Sequence, residues 1–180
     1  MGAERDWWRR ALGGLARPRE VFEALRDDTD GAAAARQEPI LLLMFAAGLA
    51  AALGAERALF EDVGGVDYAV LAFLTGGTYA LTLYWVGGWA LGFAVRRLSE
   101  HGGGRHTRHL LAYALAPLGL GLFGWLVYEP LLLAFAAWSL GLIVTGLCVV
   151  YDWTVRRAAA ASLLALLLVG VLWSALRVLE

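Results

Sequence analysis

The sequence predicts an all-α protein: a polytopic membrane helical bundle of five transmembrane helices, preceded by short amphipathic helices at the membrane interface. The first observation is composition, because 60% of the 180 residues are hydrophobic and only 17% are charged. Soluble globular domains average roughly 45–50% apolar and about 25% charged residues. The second is that the apolar residues form long blocks, which favours lipid as their solvent. The third is the unequal placement of arginine between those blocks.

The N-terminal segment, residues 1–38, is polar with embedded aromatic side chains. A helix is predicted to begin at Pro18, since proline is favoured at the first helical position. Its apolar side chains share one face, with arginines nearby, which is typical of a helix lying in the membrane interface. The side chains expected to contact lipid or a partner are Trp7, Trp8 and Phe22. The alternative is a cytosolic helix packed on the rest of the protein. The acidic stretch Asp27 to Gly31 is interpreted as a solvated linker.

Residues 39–180 are predicted to form the membrane domain. Its apolar runs give spans at about 40–60, 68–95, 110–128, 130–151 and 158–176. A helix needs about 20 apolar residues to cross a hydrocarbon core of about 30 Å. The first run is the shortest, and the second is long enough to tilt, kink or project from the membrane. Only Glu129 and Pro130 separate the third and fourth runs, which predicts a tight antiparallel hairpin.

Arginine placement predicts the orientation of the five spans. Thirteen of the fifteen arginines fall in residues 1–38, 96–109 and 152–157. Only Arg57 and Arg177 fall on the other side, where the segment from Glu56 to Asp67 also carries four carboxylates. Cytoplasmic segments are enriched in arginine and lysine. The N-terminus is therefore predicted to be cytoplasmic and the C-terminus to lie on the far side of a plasma (inner) membrane.

The second span carries a polar face and an adjoining face of small residues. Thr75, Thr78 and Thr82 recur at helical spacing, and Gly88 and Gly92 are four residues apart. Hydroxyl groups and small residues are enriched where transmembrane helices pack closely. Helix packing is the preferred interpretation. A path for a small solute, in a transporter or channel, is the alternative, although ion pathways usually include a charged residue within the membrane.

The loop between the second and third spans is rich in cationic side chains. Its arginines are predicted to meet anionic lipid headgroups, which attract basic segments beside the membrane. They are Arg96, Arg97, Arg105 and Arg108. The loop histidines, His101, His106 and His109, are weak candidates for a metal site, since zinc usually takes four ligands. No metal site is therefore assigned.

No set of catalytic or cofactor-binding residues is visible. The spans lack the nucleophile, base and acid combination that an active site needs, so no enzyme activity is predicted. The net charge of -1 gives no indication of a nucleic-acid partner. Membrane lipids, a second copy of the chain or other membrane proteins are the expected partners.

The third span has the most distinctive pattern, Ala-Tyr-Ala-Leu-Ala-Pro from Ala112 to Pro117. Proline within a helix removes a hydrogen bond to the carbonyl four residues before it, here that of Tyr113. A kink is therefore predicted, with Tyr113 and Pro117 at a packing surface. This pattern, together with the Arg17–Leu25 segment and the glycines of the fourth span, resembles the Ypt-interacting protein (Yip) domain in its bacterial form.

The resemblance covers nearly the whole chain and implies five spans with a cytoplasmic N-terminus. Eukaryotic members of the family associate with prenylated Rab-type GTPases and with each other. They carry an acidic Asp-Leu-Tyr-Gly-Pro-like segment before the first span. Only Glu38 and Pro39 stand at that place here, so GTPase binding is not expected of this chain.

Overall fold

The computed structural model describes residues 7–59, 65–99, 104–120 and 129–178, and every regular element within these ranges is helical. The N-terminal segment forms three short helices: α1 (Trp7–Ala16), α2 (Pro18–Arg26) and α3 (Asp30–Ala35). Helix α2 begins at Pro18, as predicted. The Thr29 side chain caps α3 by accepting a hydrogen bond of 3.3 Å from the Ala32 N–H.

The first two predicted spans correspond to long helices. Helix α4 covers Gln37–Leu59, and α5 covers Gly65–Thr82. A π-helical segment, Leu83–Gly87, joins α5 directly to α6, Gly88–Leu98. The continuous helical stretch Val66–Leu98 has 33 residues, which at a rise of 1.5 Å per residue is about 50 Å. It is therefore longer than a hydrocarbon core of about 30 Å and longer than the predicted 68–95 span.

The third predicted span is not one helix in the part that the structure describes. Helix α7 covers Gly104–Ala114, Leu115 forms a turn, and α8 covers Ala116–Gly119. The Leu118 N–H donates to the Leu115 carbonyl at 3.0 Å, three residues back instead of four. Pro117 has no N–H to offer the Tyr113 carbonyl, so the predicted distortion occurs as an interruption of the helix. Residues 121–128 lie outside the described ranges.

The last two predicted spans form long helices joined by a short turn. Helix α9 covers Glu129–Tyr151, and α10 covers Val155–Val178. Asp152 in the turn has a φ of 52°, a left-handed conformation that aspartate tolerates better than most residues. The Trp153 N–H donates to the Cys148 carbonyl at 3.1 Å, which closes the end of α9.

Three described helical stretches are long and apolar enough to cross a membrane: Val66–Leu98, Leu133–Tyr151 and Val155–Leu172. They match the second, fourth and fifth predicted spans. Among the described residues, Gln37–Ala50 is a shorter apolar helix, and the third predicted span is interrupted at Leu115. The all-α membrane fold is therefore confirmed, whereas a total of five spans stays a prediction.

The hydrophobic core lies where the N-terminal helices meet the long helices. Helix α2 packs along α9, α4 packs along α5, and α6 packs along α10. The largest buried side chains come from all of these regions: Tyr84, Tyr113, Phe22, Leu25, Ile40, Met44, Leu110 and Leu147. The N-terminal segment therefore shares one core with the long helices.

Phe22 was expected to contact lipid or a partner, and the structure corrects this expectation. Its side chain is 0% exposed and lies beside Gly146 of α9. A Cβ atom added at Gly146 would be 3.1 Å from the Phe22 ring and 2.9 Å from Leu110 Cγ. Gly146 therefore leaves the space that Phe22 fills. An amphipathic pattern is the same whether lipid or protein covers its apolar face, and here protein covers that of α2.

Candidate functional site

A buried ion-pair cluster joins the N-terminal helices at the end of the bundle. The Asp28 carboxylate accepts hydrogen bonds from Arg10 Nη1 at 2.7 Å, Arg10 Nη2 at 3.2 Å and Arg36 Nη1 at 2.6 Å. The side chains of Asp28 and Arg36 are 8% and 5% exposed. The interpretation of Asp27 to Gly31 as a solvated linker is therefore wrong for Asp28. The exposed Asp27 pairs with Arg26 at 3.0 Å.

Side chains at the beginning of α7 donate hydrogen bonds to backbone carbonyls of the same acidic stretch. The carbonyl of Asp28 accepts a hydrogen bond from His106 Nε2 at 3.2 Å, which places the proton on that nitrogen. The carbonyl of Asp30 accepts one from Arg105 Nη1, also at 3.2 Å. These two contacts join residues more than 70 positions apart in the chain. They fix the loop arginines relative to the N-terminal helices.

Arg108 is held against the π-helical segment. Its guanidinium lies 4.4 Å from the centroid of the Trp85 ring and 5.7 Å from that of Tyr84. Such contacts between a cation and an aromatic face are favourable by about 0.5–2 kcal/mol. A Cβ atom at Gly88 would overlap the aliphatic part of Arg108. Gly88 therefore accommodates an arginine side chain rather than a second helix backbone.

Two further loop arginines extend the same end of the bundle. Arg96 and Arg97 close α6 and are exposed, and the Arg97 guanidinium lies 5.2 Å from the Phe93 ring centroid. Gly92 faces Arg96, whose Nη1 would lie 3.5 Å from a Cβ atom added there. Cations at the C-terminus of a helix are favoured by its dipole. The arginines of α6 and α7 thus lie at one end of the bundle.

Hydrogen bonding places the end of α9 beside this arginine-rich end. The hydroxyls of Thr107 and Tyr151 share a hydrogen bond of 2.9 Å. Thr107 is fully buried. The ends of α6 and α9 and the beginning of α7 therefore meet, as the predicted topology requires of segments on one side of a membrane. Which side of the membrane this is stays a prediction.

His109 is a fully buried titratable group at this end. Its side chain is 0% exposed. Burial, followed by the electrostatic effect of the neighbouring His106, Arg108 and Arg105 side chains, lowers the pKa of His109 to about 4. The ring is therefore neutral at pH 7. Among the described residues, no group of three or more His, Cys, Asp or Glu side chains could hold a metal ion, and His101 lies outside the described ranges.

The structure places the predicted packing residues of the second span differently. Thr75, Thr78 and Thr82 are exposed on the outside of the bundle, and the Thr75 hydroxyl donates to the Leu71 carbonyl at 2.8 Å. Their assignment to helix packing therefore stays a prediction. The described apolar groove of about 210 Å³ between α4 and the second span includes Tyr79 in its lining but none of these threonines.

The close contact between α4 and α5 depends on glycines that the sequence reasoning missed. A Cβ atom at Gly76 would lie 2.8 Å from Leu49 Cα, and one at Gly48 would overlap the Gly76 carbonyl. Gly48 is in the first span and Gly76 in the second, so no spacing within either helix reveals the pair. Small residues are typical of such close helix approaches.

The remaining predicted contact residues occupy different environments. Tyr113 and Pro117 are buried, at the interruption between α7 and α8. The Tyr113 carbonyl lies 3.8 Å from the Cβ position of Gly14, so α1 covers this interruption. Trp8 is 47% exposed and contacts the Arg9 guanidinium at 5.3 Å. The side chain of Trp7 lies outside the described residues.

The comparisons with known proteins agree with the resemblance seen in the sequence. The chain matches the Yip1 domain over residues 12–176. No curated protein and no solved structure matches it. The match extends from α1 to α10 and so includes the arginine-rich end, the π-helical segment and the interrupted third span. The chain therefore belongs to the Yip1 domain family of membrane proteins.

Proposed function

We propose that this protein is a non-enzymatic, five-span membrane protein of a bacterial inner membrane. Its N-terminus would be cytoplasmic, and it would act through packed helices and contacts with lipids or other membrane proteins. The family is not known as enzymatic. The proposed partners are anionic lipids and a second copy of the chain or another membrane protein.

The lengths of the helices support five spans. Helix α4 has 23 residues, or about 35 Å, which is enough for a hydrocarbon core of about 30 Å. It packs along α5, which is part of a candidate span. Helices α7 and α8 can enter the membrane despite their interruption, because irregular backbone is tolerated there when protein covers it. Here α1 and α4 pack against α8.

The observation that carries the lipid proposal is the display of arginines beside aromatic rings at one end of the bundle. Arg96 and Arg97 are exposed at the end of α6, and Arg108 lies on the partly exposed Trp85 ring. Tryptophan is enriched at the level of lipid headgroups. Arginine presents hydrogen-bond donors in a fork that fits phosphate oxygens. This combination suits the anionic surface of a membrane.

The outer surface of the bundle leaves room for lipid or protein partners. In an 18-residue apolar window of each candidate span, only 22–28% of the residues are buried within the chain. Large apolar side chains such as Phe73, Trp89 and Leu166 are exposed. In a bilayer these side chains contact lipid tails or the helices of another protein.

Retention of anionic lipid during purification tests the lipid proposal. The full-length protein is purified in mild detergent from membranes that contain phosphatidylglycerol, and bound lipids are counted by native mass spectrometry. Replacing both Arg96 and Arg97 by Gln should weaken lipid binding by roughly 30-fold, since each arginine near an anionic surface contributes about 1 kcal/mol.

The matched control replaces Arg17 and Arg19 by Gln. Both side chains are exposed on α2, at 73% and 80%, and the control changes the net charge by the same amount. Equal lipid retention by the wild type and both double variants would contradict the lipid proposal.

A further inference from the structure

Buried polar atoms without a hydrogen-bond partner gather around the beginning of α7. Within the part of the chain that the structure describes, they include the Tyr84 hydroxyl, the Nε atoms of Arg105 and Arg108, and both ring nitrogens of His109; the Ser139 hydroxyl in α9 is another such atom. Native proteins contain few such atoms, and each one calls for a physical reason. Leaving a buried donor unsatisfied is energetically unfavourable.

These side chains are neighbours in space. The Arg108 guanidinium lies 5.7 Å from the Tyr84 ring centroid. Arg105, Arg108 and His109 are at positions i, i+3 and i+4 of helix α7 and therefore share one face of it. Tyr84 and His109 are 0% exposed, whereas the two arginines are partly exposed. The two arginines therefore reach solvent, whereas Tyr84 and His109 do not.

The unsatisfied groups are mainly hydrogen-bond donors. Arginine can only donate, a tyrosine hydroxyl can donate, and a neutral histidine carries one N–H. Among the described residues, neither Arg105 nor Arg108 forms an ion pair with a carboxylate. The first turn of α7 contains no acidic side chain, although the positive N-terminus of a helix favours an anion. An anion, which only accepts hydrogen bonds, can pair with the arginine and tyrosine donors and with the single N–H of His109, whereas the second ring nitrogen of His109 is itself an acceptor.

We propose that Tyr84, Arg105, Arg108 and His109 form a binding site for a phosphomonoester group, presented by a lipid headgroup or by a soluble phosphate compound. A phosphomonoester has three terminal oxygens and a charge of about −1.5 to −2 at pH 7. A phosphodiester has only two terminal oxygens and one negative charge. Two arginines and two further donors therefore match the monoester better. The lipid source rests on the function proposed above, whereas the chemistry of the site does not.

The test compares phosphatidic acid, a monoester, with phosphatidylglycerol, a diester. Binding of each lipid to the full-length protein in nanodiscs of neutral lipid is measured by titration, with inorganic phosphate as a soluble competitor. Tyr84→Phe removes one hydroxyl and little else, so it should weaken phosphatidic acid binding by about tenfold. Arg108→Gln should weaken it by at least as much. The control is Arg156→Gln, an exposed arginine at the beginning of α10.

The inference is supported if phosphatidic acid binds at least tenfold more tightly than phosphatidylglycerol, and if Tyr84→Phe removes most of that difference while Arg156→Gln does not. Competition by millimolar phosphate alone would identify a soluble source for the same site. Equal binding of both lipids that depends on Arg96 and Arg97 would overturn the inference and leave the proposed function intact. Absence of binding by either lipid would overturn the lipid part of the proposed function, and absence of binding by inorganic phosphate as well, titrated directly, would also overturn the inference. Because Tyr84→Phe preserves the ring, it remains informative if Arg108→Gln fails to fold.

Discussion

Replacing Asp28 by Asn should release the N-terminal helices from the bundle. The substitution preserves the size of the side chain but removes the charge that two arginines share. Asp28 and Arg36 are nearly buried, at 8% and 5% exposure, and Arg10 is 15% exposed. Removing one partner of a buried ion pair costs about 3–5 kcal/mol. We take the lower end, about 3 kcal/mol, because Arg10 retains some contact with solvent.

Hydrogen exchange measures this effect directly. A loss of about 3 kcal/mol corresponds to roughly a hundredfold increase in the opening equilibrium. Amide protection in α1 and α2 should fall by that factor, whereas protection in α9 and α10 should change less, because local openings occur in cooperative units. The experiment is performed on the full-length protein in detergent.

The control for this prediction is Asp27→Asn. Asp27 is the neighbouring residue, but its side chain is 67% exposed and its pair with Arg26 lies at the surface. Exposed ion pairs contribute little to stability. Equal protection of α1 and α2 in the two variants would refute the conclusion that the Asp28 cluster holds the N-terminal helices in place.

Three other substitutions or titrations have clear expected outcomes. Gly146→Leu should lower the thermal unfolding midpoint, because overpacking costs about 1–3 kcal/mol. The control Gly141→Leu should leave it unchanged, since nothing lies within 4 Å of the Cβ position there; equal midpoints for the two variants would contradict the packing of α2 on α9. Gly48→Val should disrupt the contact of α4 with α5 and lower the thermal unfolding midpoint. The control is Gly170→Val, where nothing lies within 4 Å of the Cβ position, and equal midpoints for the two variants would contradict the close approach of α4 and α5. The pKa of His109 is lowered to about 4, so native stability should fall as pH decreases from about 6.5 towards 4, by about 3 kcal/mol. His109→Leu should lose this pH dependence, and its persistence would show that another group causes it.

Local signals in the sequence were sufficient for the helices themselves. Proline at the first position of α2, the long apolar runs and the proline in the third span each act within a few residues. The structure places the end of α9 at Tyr151 and the beginning of α2 at Pro18, as the sequence predicts. The break at Leu115 also follows from one local cause, the missing N–H of Pro117.

Features that depend on distant residues could not be predicted in this way. The apolar face of α2 is clear in the sequence, but Phe22 contacts protein because it fills the space beside Gly146, more than 100 residues further along the chain. Asp28 lies in a run of acidic and small residues that resembles a linker. Its burial depends on Arg10 and Arg36, which no short motif connects to it. The close approach of α4 and α5 likewise requires glycines in two separate helices.

The π-helical segment is a further feature that could not be predicted from the sequence. Nothing in the run Leu83–Gly87 distinguishes it from ordinary α-helix by composition. The segment lies beside Arg108, and π-helical turns frequently occur at functional sites. Tyr84 and Trp85 belong to this segment, and both contact the Arg108 guanidinium.

The most direct test of the five-span proposal is cysteine accessibility on both sides of α4. Single cysteines are introduced by Ala3→Cys and Asp62→Cys in a variant whose native cysteine is replaced, Cys148→Ala. Labelling with a membrane-impermeant reagent is compared in intact cells and in inverted vesicles. We expect position 3 to be labelled only from the cytoplasmic side and position 62 only from the opposite side. Labelling of both positions from the same side would show that α4 does not cross the membrane and would contradict the five-span architecture.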